Sequence, residues 1–150
     1  MARLRGAVTT EGEIALSAAT AKTVLQVVAA TNVRVAIQKI GIAFDGVSAT
    51  AEPVQVDLVK QTDAGTSSAA TPVHKLLGAS ETLQTTARKT ATVEPTTTDV
   101  IRRFEVHPQT GKEFSFGPDD EIVLGGGTRL VIRLTAPAVV NAVAFIEFEE

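Results

Sequence analysis

Val33-Arg34-Val35-Ala36-Ile37-Gln38-Lys39-Ile40-Gly41-Ile42-Ala43-Phe44 alternates apolar with other residues, and its apolar parity changes once. Val33, Val35 and Ile37 are odd, whereas Ile40, Ile42 and Phe44 are even. Successive strand side chains face opposite sides of a sheet, so a strand with one buried face keeps a single parity. One additional residue, a β-bulge, transfers the apolar set to the other parity. The spacing predicts a strand with a bulge at Gln38-Lys39.

The same alternation extends in both directions. Upstream, residues 23–30 carry Val24, Val27 and Val28, and Thr31-Asn32 supplies turn chemistry, which predicts a hairpin over residues 23–44. Downstream of the Asp45-Gly46 turn, Val54, Val56 and Leu58 share one face while Gln55 and Asp57 share the other. Beyond Asp99, Val100, Phe104 and Val106 form one face interrupted by Arg102, followed by Phe114 with Phe116, Ile122 with Leu124, and Leu130, Ile132 and Leu134. Turn sequences such as Gly117-Pro118-Asp119 and Gly125-Gly126-Gly127 separate them. Short strands at roughly 8–12-residue spacing indicate an all-β antiparallel sandwich or barrel.

Three segments depart from that pattern. Residues 139–148 are apolar on both parities, which predicts a central strand covered on both faces. Residues 61–99 are rich in Thr, Ser, Ala and Gly and are the least sheet-like, with a helical turn at 73–77 and an edge strand or extended loop at 82–92. Residues 1–15 lack a core pattern and are predicted to be an extended N-terminal arm preceding a single domain at 16–150.

Composition narrows the class. A chain of 150 residues buries roughly 70% of its unfolded surface in one core. Hydrophobic residues make up 44% and charged residues 21%, in the range of globular domains. All the aromatics are Phe, so the core must be mainly aliphatic. A net charge of −3 lacks the basic clustering that phosphate neutralisation requires, so nucleic acid is not an expected partner. Cysteine is absent, so no disulfide supports the fold. Glu11 and Glu13 stand where a signal peptide would be apolar. The most apolar run, about ten residues, is too short for a transmembrane helix. A soluble protein without a membrane partner is expected.

Side chains that do chemistry are sparse. His74 and His107 are the only histidines and are far apart, whereas a cupin-type metal site needs several inward His and acidic ligands. Gly125-Gly126-Gly127 precedes a strand and not the helix that a phosphate loop requires, so a hairpin turn is the reading. Asp119-Asp120-Glu121 lacks the ligand spacing of an EF-hand and reads as a solvated turn. No Gly-x-Ser-x-Gly occurs. Neither catalytic residues, nor a metal, nor a cofactor are predicted, and the chain reads as a non-enzyme. Arg102, on an otherwise apolar face, must find a carboxylate, reach the rim or sit at a subunit contact. His107, before Pro108 at a strand end, reads as a surface or interface residue.

Several stretches taken in order carry a family likeness: Thr23-Val24-Leu25-Gln26-Val27-Val28-Ala29-Ala30, Phe44-Asp45-Gly46, Ala51-Glu52-Pro53-Val54, Glu81-Thr82-Leu83-Gln84-Thr85-Thr86-Ala87, Glu94-Pro95, Val106-His107-Pro108-Gln109, Gly125-Gly126-Gly127 and Thr135-Ala136-Pro137. From about residue 16 to residue 150 the chain resembles the head decoration, or auxiliary capsid, proteins of tailed bacteriophages. The resemblance implies a jelly-roll-like β-sandwich that forms a homotrimer on the outer surface of the virion head, clamps neighbouring major capsid subunits, and is made in the host cytoplasm.

Within that expectation, Arg3, Leu4 and Arg5 of the arm are the candidate capsid contacts, and Arg102 and His107 the candidate subunit contacts. The alternative expectation is a carbohydrate- or receptor-binding jelly-roll module of a virion. The absence of Trp and Tyr disfavours it, because sugar rings usually stack on those side chains.

Overall fold

The computed structural model describes residues 3–150. They form thirteen strands: β1 (Arg5–Thr9), β2 (Ile14–Leu16), β3 (Ala21–Val28), β4 (Val35–Phe44), β5 (Val54–Gln61), β6 (Thr66–Ala70) and β7 (Val73–His74), then β8 (Thr86–Val93), β9 (Thr97–Val106), β10 (Gly111–Ser115), β11 (Ile122–Leu124), β12 (Arg129–Thr135) and β13 (Val140–Glu149). Sheet one has the order β10-β4-β13-β1-β7, with β11 also paired to β4 and β2 to β13. Sheet two has the order β6-β8-β3-β12-β5-β9. All strand pairs are antiparallel, and the two sheets form the expected β-sandwich.

The inward sets of the two sheets form the core. Ile37, Ile40, Ile146 and Phe148 from sheet one meet Leu25, Leu58, Leu130, Ile132 and Leu134 from sheet two, all with 0% exposure. Fully buried aliphatic side chains each contribute roughly 1.5–3 kcal/mol relative to exposure. The parity switch in β4 is realised as predicted. Opposite β13, Glu147 pairs with Lys39 and the next residue, Phe148, with Ile37, which leaves Gln38 as the extra residue. Its carbonyl accepts the Phe116 amide at 2.9 Å and its Nε2 donates to Glu121 at 2.8 Å, so the bulge is anchored by residues 116–121.

Several expectations are corrected. Residues 23–44 are not a hairpin, because β3 lies in sheet two and β4 in sheet one; the 31–34 turn carries the chain across the sandwich. Gly125-Gly126-Gly127 likewise joins β11 in sheet one to β12 in sheet two. There a Cβ on Gly126 would lie 1.9 Å from the Thr31 carbonyl oxygen, so two crossing turns pack backbone on backbone. Residues 73–77 contain the strand β7 and no helical turn, and β8 lies inside sheet two between β3 and β6, not at its edge.

The largest correction concerns residues 1–15. Residues 1 and 2 lie outside the described residues, but the rest is no free arm. Arg5–Thr9 pairs with β13 from Glu149 to Phe145, and Ile14–Leu16 pairs with its beginning. Val8, Ile14 and Leu16 are buried. A five-residue and a three-residue strand have too few alternations to stand out in sequence, and a partner some 140 positions away decides their conformation.

Candidate interaction surface

β13 is central in sheet one, but only one of its faces is closed. Val140, Ala142, Ala144, Ile146 and Phe148 are buried, whereas Val143 is 38% exposed and Phe145 half-buried on the opposite side. That outer face continues on neighbouring strands through the register Phe145–Gly41 and Val143–Ala43 towards β4, then Gly41–Glu113 and Ala43–Gly111 towards β10. Thr9 flanks Phe145 from β1. A Cβ on Gly41 would fall 2.1 Å from Phe145 Cε1, so the glycine lets the ring lie flat across β4. Beside it a groove of about 580 Å³ runs between Thr9, Gly41, Ala43, Gly111, Val143 and Phe145, with Glu11, Lys112 and Glu113 at its rim. Small residues, one aromatic ring and a charged border make a surface suited to an apolar side chain of a partner.

Ion pairs bound this strip along one side. Lys39 Nζ lies 2.7 Å from Glu113, and Lys75 Nζ lies 2.5 Å from Glu147. Further along, Arg3 Nη1 and Arg5 Nε reach the two oxygens of Glu149 at 2.7 and 3.0 Å. The hydrogen bond from Arg3 lowers the Glu149 carboxyl below the ordinary glutamate range; burial opposes this, and the bond from Arg5 assists it. Leu4 exchanges backbone hydrogen bonds with Glu150 at 3.0 and 2.8 Å. The three arm residues are therefore fastened to the end of β13 at the border of the outer face, and the exposed heads of Arg3 and Arg5 continue its charged margin.

Arg102 and His107 lie elsewhere, Arg102 on β9 at the edge of sheet two and His107 immediately after that strand. Of the alternatives open to Arg102, a carboxylate partner is realised: Nη2 lies 2.7 Å from Asp120, and the guanidinium stacks over Phe116 at 5.1 Å. Both charged partners are largely solvated, with side chains 40% and 65% exposed. Arg102→Ala should therefore lower unfolding free energy by only about 0.5–1 kcal/mol in a urea titration. A loss above 2 kcal/mol would show a buried role. His107 organises the turn after β9, with Nδ1 accepting the Gln109 amide at 3.2 Å and its carbonyl accepting Thr110 N–H at 3.0 Å. Asp119-Asp120-Glu121 is a turn in which Asp120 and Glu121 hold Arg102 and Gln38.

Sequence reasoning missed Gly41, Ala43, Val143 and Phe145. Their signal was present in the double-parity apolarity of 139–148, which predicts a central strand covered on both faces; the strand is central, but the face carrying Val143 and Phe145 is open. It also missed a polar cluster on sheet two. Asp57, 1% exposed, receives Arg103 Nε at 2.7 Å and Arg103 Nη2 at 3.1 Å, with Arg133 Nη2 at 2.9 Å. Burial pushes this carboxyl up, and the two guanidiniums more than offset that, leaving it below the usual carboxylate range. Among the described residues no group of three or more His, Cys, Asp or Glu is placed to hold a metal ion. Comparison with family models, curated proteins and solved structures finds no match.

Proposed function

We propose that this chain is a structural virion protein: a head decoration protein whose copies form a homotrimer on the outside of a tailed-phage capsid and hold neighbouring major capsid subunits together. The observation that supports this most directly is the open outer face of sheet one, where Val143 and Phe145 lie over Gly41 and Ala43 on a seven-stranded sheet. A static clamp needs breadth and rigidity more than a deep cleft. Stable interfaces bury on the order of 1,200–2,000 Å², and symmetric repetition raises avidity by supplying each further contact at high effective concentration. The family resemblance supplies the kind of partner; apart from the stretch in β3, the sequence stretches that carry it lie mostly in the turns between strands.

The test is co-sedimentation with tailed-phage heads assembled without the protein. The purified chain should pellet with the heads, and Val143→Asp with Phe145→Asp should reduce the bound fraction at least 10-fold while leaving the circular dichroism spectrum unchanged. Equal binding by the doubly substituted chain would remove the outer face from the contact. Absence of binding by the unsubstituted chain would overturn the reading.

A further inference from the structure

Two of the exposed apolar features lie at opposite ends of β13. One is a knob between β7 and β8, where Leu76 is 71% and Leu77 89% exposed. The knob is braced: Ala79 N–H donates to the Leu76 carbonyl at 3.2 Å, Gly78 takes φ 86°, Lys75 N–H donates to Arg5 O at 2.9 Å, and His74 Nε2 lies 2.6 Å from Glu81 O. A positive φ at the third turn position is the type II geometry that glycine permits, and it holds Leu77 at the tip. The other feature is a groove of about 310 Å³ in which Val47, 92% exposed, and Val139, 78% exposed, lie near Pro108 and Pro137. It is braced as well, with Gly46 N–H on Pro108 O at 2.8 Å and Gln109 Nε2 on Val47 O at 2.9 Å.

We propose that the Lys75-Leu76-Leu77 knob of one copy seats in the Val47–Val139 groove of the next, so that copies join head to tail. The knob adjoins Glu147 through Lys75, whereas the groove includes Val140. The seven intervening steps of β13 separate them by about 23 Å at roughly 3.3 Å per residue. One chain cannot close this contact on itself, but a second copy can. Charge is complementary: Lys75 is the one charged residue in the 73–80 knob segment, and the groove lining contains Glu52 and no cation. Complementary surfaces at different places on one chain form a heterologous interface, which closes into a ring when the rotation permits. This rests on the proposed self-association of the chain and specifies the surfaces that make it.

The test measures mass by light scattering. The unsubstituted chain should be a closed oligomer. L76D/L77D and V47D/V139D should each be monomeric, their association weakened about 100-fold or more, with an unchanged circular dichroism spectrum because all four side chains are exposed in the single subunit. An equimolar mixture should give a dimer and nothing larger, since only one intact knob and one intact groove remain. K75E should weaken association and K75E/E52K restore it. A monomeric unsubstituted chain, a variant that keeps full mass, a mixture that stays monomeric or a charge exchange without recovery would each overturn the inference. Heads decorated by a monomeric chain would sink this interface alone, whereas an intact ring that binds no heads would sink only the virion reading.

Discussion

Phe148→Ala should lower the unfolding free energy by about 3–5 kcal/mol, the range for removing a buried aromatic side chain. Phe148 is the largest wholly buried side chain and stands in β13 opposite Gly6 of β1 and Ile37 of β4. A Cβ on Gly6 would lie 2.5 Å from Phe148 Cζ and 3.0 Å from Leu83 Cδ1, so the ring occupies space that Gly6 leaves open. Domains of this size are stable by about 5–15 kcal/mol, and the loss would be a large share of that. The pairing also fixes the sign of a double-mutant cycle. Gly6→Ala should destabilise the unsubstituted chain by clash, yet be neutral or stabilising beside Phe148→Ala, where the new methyl group refills part of the cavity. Urea titrations of the four proteins measure this. A single-mutant loss under 1.5 kcal/mol, or strictly additive effects, would contradict the packing described.

Asp57→Ala should cost about 3 kcal/mol at neutral pH, the lower end of the range for breaking a buried pair. Arg103, with a side chain 54% exposed, can turn to water, but Arg133 is only 20% exposed and loses its carboxylate. Its Nη1 keeps a 3.0 Å bond to the neutral Thr97 Oγ1 and its buried Nε has no hydrogen-bond partner, so the charge is left without a counterion. The same carboxylate gives an acid limb. Its folded pKa is depressed, so its contribution is fully present above the unfolded value, about 3.9, and is lost as pH falls through the folded value. Glu149 acts with the same sign, since its folded pKa is also depressed. Stability of the unsubstituted chain should fall as pH drops below the unfolded carboxylate values, about 4, towards the depressed folded ones, and more steeply than that of Asp57→Ala. Identical slopes would show that Asp57 titrates alike in the folded and unfolded chains.

How far each of these features could be read beforehand depended on where its information resided. The bulge at Gln38 was legible because a parity switch is local: three apolar residues on either side of it declare the face they need. β5 and β12 were legible for the same reason, through Val54, Val56 and Leu58 and through Leu130, Ile132 and Leu134. β1 was not, because the pairing of Val8 with Ile146 and the buttress between Gly6 and Phe148 exist only in three dimensions. Alternation also reports a strand and not its sheet, so β3 and β4 read as a hairpin although the chain crosses the sandwich between them. The candidate surface was half legible. Val143 and Phe145 showed that the second face of β13 avoids water, but a strand's own sequence cannot state whether its cover belongs to the same chain or to another. Asp57 looked like an ordinary outward polar residue between Val56 and Leu58, since Arg103 and Arg133 are 46 and 76 positions away.

The position of β13 has a consequence for how the molecule is made. β1, β2 and β4 all hydrogen-bond to residues 140–149, so during synthesis sheet one lacks its middle until nearly all the preceding strands have left the ribosome. Until then a nascent chain presents open strand edges and an uncovered layer of sheet two, which is when intermolecular aggregation competes best. Closing contacts across almost the whole length is also entropically slow. Maturation should be governed by the arrival of this one late segment, and a shortfall in yield at high temperature would trace to the waiting time before it docks.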